Sequence, residues 1–182
     1  MIGKIEKIII ISVLLTINMF LWPYISSHFV DTRDTGVSRL CESNLRDISL
    51  ALVNYAVSNN NAYPEDLYVL IEDGSINAKQ LVCPKGDLKL KEVLAMPISR
   101  ERFKVLMAKS SYVYVSDNIG PSSDPEDIIM YEKPHPHYND EYIGMNILFG
   151  DGSVNYHLEE KGIALLKKQG VVVQPYKKKG WW

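Results

Sequence analysis

An excess of either charge is missing from this sequence. Twenty Lys and Arg stand against 22 Asp and Glu, for a formal net charge of −2 and a pI of about 6.1. No basic field for nucleic acid follows from such a balance, so a nucleic-acid partner is excluded. Cysteine is scarce, with only Cys41 and Cys83 and no CxxC spacing, which excludes a cysteine-rich scaffold and a zinc ribbon. A phosphate-cradling P-loop, dinucleotide-binding glycines, an HExxH pair and a nucleophile elbow are all absent, and the chain is read as non-enzymatic. Internal repeats and low-complexity tracts are lacking too. The chain does have 182 residues and eleven tyrosines. Removing about 30 residues for an N-terminal segment leaves about 150, the size of one domain with one core.

The only long apolar run is Ile8 to Trp22, IIIISVLLTINMFLW, interrupted by Ser12, Thr16 and Asn18. Fifteen helical residues span about 22 Å, and continuing through Phe29 and Val30 gives about 23 residues, enough to cross a bilayer. Trp22 and Tyr24 suit an interfacial belt, and Pro23 would kink the helix there. The expectation is a short tip at 1–7, a transmembrane segment at 8–30, an extracytoplasmic domain at 31–170 and a tail at 171–182. Asn18 within the span would pair with a neighbouring helix, or reach water near a helix end. The charges flanking the run (Lys4 and Lys7 before it, Arg33, Arg39 and Arg46 after it) hardly fix its orientation.

From Val37 on, apolar residues recur at Leu40/Cys41, Leu45, Ile48, Leu52 and Tyr55/Ala56, the period of a helix with one buried stripe. Asn59-Asn60-Asn61 ends it. Pro64 is expected at the first position of a short helix that stops at Gly74. Leu88 to Val93 reads as a possible strand, and Ile98 to Lys109 is ambiguous, with a helix on the sheet's edge as one reading. Strands are expected at 112–115, 128–131, 145–149 and 153–157, with loops at 117–127 and 133–142. Asp151-Gly152 signals a type I′ hairpin. A last helix runs from Leu158 to Gln169. Helix followed by strands indicates an α+β fold: a long N-terminal helix whose outer half lies on an antiparallel β-meander.

The order Cys41-Glu42-Ser43-Asn44-Leu45-Arg46-Asp47-Ile48, Tyr55, Asn59-Asn60-Asn61, Tyr63-Pro64, Gly74 and Val82-Cys83-Pro84 resembles the pilin-like proteins of type II secretion and type IV pili. Ser111-Tyr112-Val113-Tyr114, 127–134 and 144–154 extend the resemblance, which covers Leu40 to Gln169. It points to the group ending in a His-x9-Asp-Gly motif, here His137, Asp151 and Gly152. It implies a pilin-like fold, and a pseudopilin-like structural subunit anchored in the bacterial inner membrane by one span, with its domain on the periplasmic side. The partners implied are the lipid bilayer and homologous subunits or a secretion platform. The sequence departs from the family in two places. Gly3 is followed by Lys4, which puts the assembly residue Glu6 third rather than fifth, and thirteen residues separate His137 from Asp151. An alternative is a stand-alone membrane-anchored binding module that does not assemble.

Four groups carry candidate chemistry. Cys41 and Cys83 are either two buried thiols or, outside the cytoplasm, a disulfide closing a loop of about 42 residues worth roughly 4 kcal/mol. Asp117, Asp124 and Asp127, with Asn118 and Glu126, offer oxygen ligands to calcium, and no other cofactor is expected. His135 and His137, with Asp140, Glu141 and Asp151, form a weak zinc pattern that a metal-dependent enzyme would need. Lys177 to Trp182 mixes cations with two indoles and suits an anionic surface or a solvated end.

Overall fold

The computed structural model describes residues 3–86, 88, 91, 93, 99–115, 120–121, 124–137 and 142–177. Side chains are described for these residues outside 4–11, 23–37 and 137. The helix α1 runs over Lys4–Ser58, through Pro23 and the polar stretch 31–35 without a break in the backbone assignment. It ends because Asn60 and Asn61 take positive φ (54° and 61°), a conformation asparagine tolerates better than most residues. The Asn61 N–H closes back on the Ala56 carbonyl at 2.9 Å. Then come α2 (Tyr68–Glu72), a 3₁₀ turn (Ala78–Leu81) and α3 (Arg100–Lys109). The first helix after α1 therefore begins at Tyr68 and not at Pro64, with the Asp66 carboxylate accepting the Tyr68 N–H at 3.0 Å. Leu88 and Val93 are buried; most of the strand expected over 88–93 falls outside the described residues, but Lys91 and Val93 are helical, not extended.

The sheet is antiparallel, built from β1 (Tyr112–Tyr114), β2 (Ile128–Glu132), β3 (His135–His137), β4 (Tyr142–Phe149) and β5 (Val154–Leu158). Gly144 pairs with both His135 and Leu158, and Ile147 with both Tyr131 and Asn155. Hence β2 and β3 share one edge of β4, end to end, and β5 takes the other. The stretch expected as loop at 133–142 thus contains a strand. Its two prolines do not prevent this, since only three residues pair and proline is tolerated where no ladder N–H is needed.

Two apolar clusters flank the sheet. One face packs on the second half of α1 through Cys41, Leu45, Ile48 and Leu52, with Met130, Leu148 and Val154 from the strands. The other face packs on α4 (Glu159–Lys168) through Ile128, Tyr131, Met145, Ile147 and Leu166. A register shift between Ile128 and Met130 is a β-bulge, which lets Ile129 and Met130 both join the α1-side cluster. Glu132, two residues on from Met130, then points to the α1 side as well. The β4–β5 turn is not type I′. Only Gly152 has positive φ (82°), and its N–H bonds the Phe149 carbonyl at 2.9 Å, as in a longer hairpin with a left-handed glycine.

The α+β class and its antiparallel sheet are present, but the membrane half of the expected fold is overturned. Among the described residues, no helix is long and apolar enough to cross a membrane. The apolar run itself, Ile8 to Trp22, carries Ser12, Thr16 and Asn18 and as helix is about 22 Å long, against a hydrocarbon core of about 30 Å. The expected span at 8–30 and the single-pass inner-membrane localisation are corrected accordingly.

Candidate functional site

Two features stand out, one on the surface and one in the core. On the surface, α1 presents Val13, Leu14, Leu15, Ile17, Met19, Phe20, Leu21 and Trp22, all exposed. At 100° per residue these eight side chains fall on every side of the helix rather than along one stripe. The polar residues among them turn inward on their own helix. Thr16 Oγ1 donates to the Val13 carbonyl and Asn18 Nδ2 to the Leu14 carbonyl, both at 2.9 Å. Asn18, expected to pair with a neighbouring helix or to reach water near a helix end, places one of its amide N–H groups on its own helix. Glu6, the other expected assembly residue, has its side chain outside the described set.

In the core, Cys41, Cys83, Glu132 and His135 converge, all buried, with one ligand atom from each within 4.8 Å of the others. Cys41 comes from the buried stripe of α1, and Cys83 from the turn after the 3₁₀ segment. Glu132 ends β2 and His135 opens β3. The Lys133-Pro134 link between the two strands turns both side chains toward α1. Cys41 Sγ lies 2.6 Å from Cys83 Sγ, Cys83 Sγ 3.5 Å from His135 Nε2, and His135 Nε2 3.4 Å from Glu132 Oε1. His135 Nδ1 faces the Lys133 carbonyl at 2.9 Å; a carbonyl only accepts, so Nδ1 carries the proton. Glu132 Oε2 accepts from Asn146 Nδ2 at 2.7 Å. Tyr112, fully buried on β1, donates its hydroxyl to the Cys41 carbonyl at 3.4 Å.

The disulfide expected between Cys41 and Cys83 is not formed. Both cysteines are free, and their sulfurs stand farther apart than the ~2.05 Å of the bond. The contact with Cys41 and burial push the Cys83 thiol well up, which keeps it protonated. Burial alone would lower His135, but the Cys83 contact and the Glu132 charge outweigh it and raise it to about 9. Burial, with the charge on Glu132, likewise drives the Tyr112 phenol upward.

Among the described residues, no second group of three or more metal-type ligands comes together. Asp117, Asn118, Asp140 and Glu141 lie outside the described residues, as does the side chain of His137. Asp124 Oδ1 accepts the Glu126 N–H at 2.9 Å, and the Asp127 backbone carbonyl accepts from the Gly150 N–H at 2.7 Å. Asp151 belongs to the hairpin, where Ser153 holds its carboxyl below the usual range. His135 turns to Cys83 and Glu132. Glu132 was not legible as a site residue. The one hint is a carboxylate placed two residues after Met130 in an otherwise apolar strand.

Comparison with known protein families, with curated proteins and with solved structures finds no match. It therefore lends no support to a secretion-type pseudopilin.

Proposed function

We propose that this chain is a non-enzymatic structural subunit that assembles through the 12–22 stretch of α1. The packing is of the side-by-side helical kind that the pilin-like resemblance implies. The observation that carries the reading is the all-round apolar surface of that stretch. A helix with one apolar stripe needs one partner; a helix apolar on all sides is covered only by several neighbours at once. Burying each of the eight side chains from its partly covered state yields about 1 kcal/mol, so about 8 kcal/mol for full enclosure. Association itself opposes this by about 4–15 kcal/mol. One face against one partner would recover only part of that gain, so enclosure by several copies, each burying its own set, is the arrangement that can offset the cost. The occupants are the same segments of further copies of this chain. Thr16 fits a dry interior because its hydroxyl donates within α1, and the rest of the Asn18 amide is left to bond across to a neighbouring copy.

Sedimentation velocity of the full chain across a concentration series tests this, alongside Leu15→Glu and Phe20→Glu. The wild type forms defined oligomers, and both variants dissociate while keeping the wild-type melting temperature. A wild-type chain that stays monomeric throughout would leave a stand-alone module instead.

A further inference from the structure

We infer that Cys41, Cys83, Glu132 and His135 form a structural zinc site that ties α1 to the β2–β3 junction. The donor chemistry narrows the ion. Two sulfurs, an imidazole nitrogen and one carboxylate oxygen suit zinc; calcium and magnesium take oxygen ligands, and thiolates do not serve them. A tetrahedral zinc with bonds of about 2.0–2.3 Å needs donor–donor separations of about 3.3–3.8 Å. Cys83 to His135, at 3.5 Å, and His135 to Glu132, at 3.4 Å, already meet this. The sulfur pair, at 2.6 Å, has to part by about 1 Å, and the other three separations lie within 4.8 Å.

The surrounding groups orient the donors as such a site requires. Nδ1–H of His135 is held by the Lys133 carbonyl, which presents Nε2 to the cluster. Asn146 holds Oε2 of Glu132, which presents Oε1. Four protein donors close the coordination shell, and all four residues are buried, so no position is left for a substrate. The site is therefore structural and not catalytic. Its four donors come from three segments far apart in sequence, with Glu132 and His135 in one of them, so the ion links α1, the turn at Cys83 and the sheet. Both thiols, and Nε2 of the His135 imidazolium, lose their protons to solvent when the metal binds, while Nδ1 keeps its own.

The test uses the full reduced chain, freed of metal by chelator and titrated with zinc and, separately, with cobalt(II). One ion binds per folded chain by native mass spectrometry, and the melting temperature rises with it. The cobalt form shows the intense visible bands of tetrahedral coordination and a thiolate-to-cobalt charge-transfer band. Cys83→Ser and His135→Gln lose these bands. Asn146→Ala, which removes no ligand, weakens zinc by about 10- to 100-fold. A folded, reduced wild-type chain that binds no zinc, or binds cobalt without thiolate charge transfer, overturns the site. So does a native chain whose mass is two hydrogens below the reduced value. The wild-type spectra decide the matter even if a ligand variant fails to fold.

Discussion

Gly144 has no room for a side chain. A Cβ there would lie 2.3 Å from the Tyr156 hydroxyl and 2.6 Å from the His157 carbonyl, and the latter is backbone that cannot swing aside. Gly144→Ala should destabilise the fold by about 1–3 kcal/mol, read as a fall in the denaturation midpoint at unchanged slope. Gly152 is limited differently: its surroundings are nearly open, but its φ of 82° is left-handed. Gly152→Ala should cost about 1–2 kcal/mol by the same measurement. His157 gives the fold a dependence on pH. Its ring stands edge-on to Phe149, with centroids 6.1 Å apart, and burial, then the Lys161 charge, lower its pKa. The folded state therefore favours neutral His157. Its contribution is fully present above the unfolded value of about 6.5 and is lost as pH falls through the lower folded value. Between pH 8 and pH 5 the wild type should lose more stability than His157→Gln; equal losses would exclude His157 as a source.

Among the elements, the outer half of α1 supplies the main anchor of the core. Ile48 is fully buried at the centre of its stripe, and Ile48→Ala should cost roughly 2–5 kcal/mol in chemical denaturation. This stripe was legible because helical period and burial coincide at Cys41, Leu45, Ile48 and Leu52. The end of α4 was legible for a similar reason. Gly170 takes φ 77°, Val171 N–H closes on the Leu166 carbonyl, and the two side chains share one apolar cluster. Less was legible where pairing decides. His135–His137 reads as loop because two prolines flank and interrupt it, and only the length of β4 reveals a free edge for it to join. The bulge between Ile128 and Met130 leaves no sequence mark, yet it sets the side to which Glu132 points. The core cluster could not be read from spacing, since its four residues come from three separate segments. The reading of 8–30 as a span followed hydropathy, the Trp22 and Tyr24 belt and the pilin-like resemblance, and hydropathy does not distinguish lipid from the flanks of other helices.

At the scale of the whole molecule, the chain divides its apolar surface between two tasks. The α1 face of the sheet and the outer half of α1 satisfy each other within one subunit. The 12–22 stretch has no such counterpart among the described residues, and its apolar side chains surround the helix. The assembly reading makes that stretch the core of a multi-subunit contact, while the zinc site fixes the helix to its own domain. A photo-crosslinking residue placed at Phe20 of the full chain reports directly on what covers it. Crosslinks to residues 12–22 of a second copy, with products larger than dimers, are the expected result. Crosslinks confined to lipid or to the same chain, from a protein that sediments as a monomer, would contradict it.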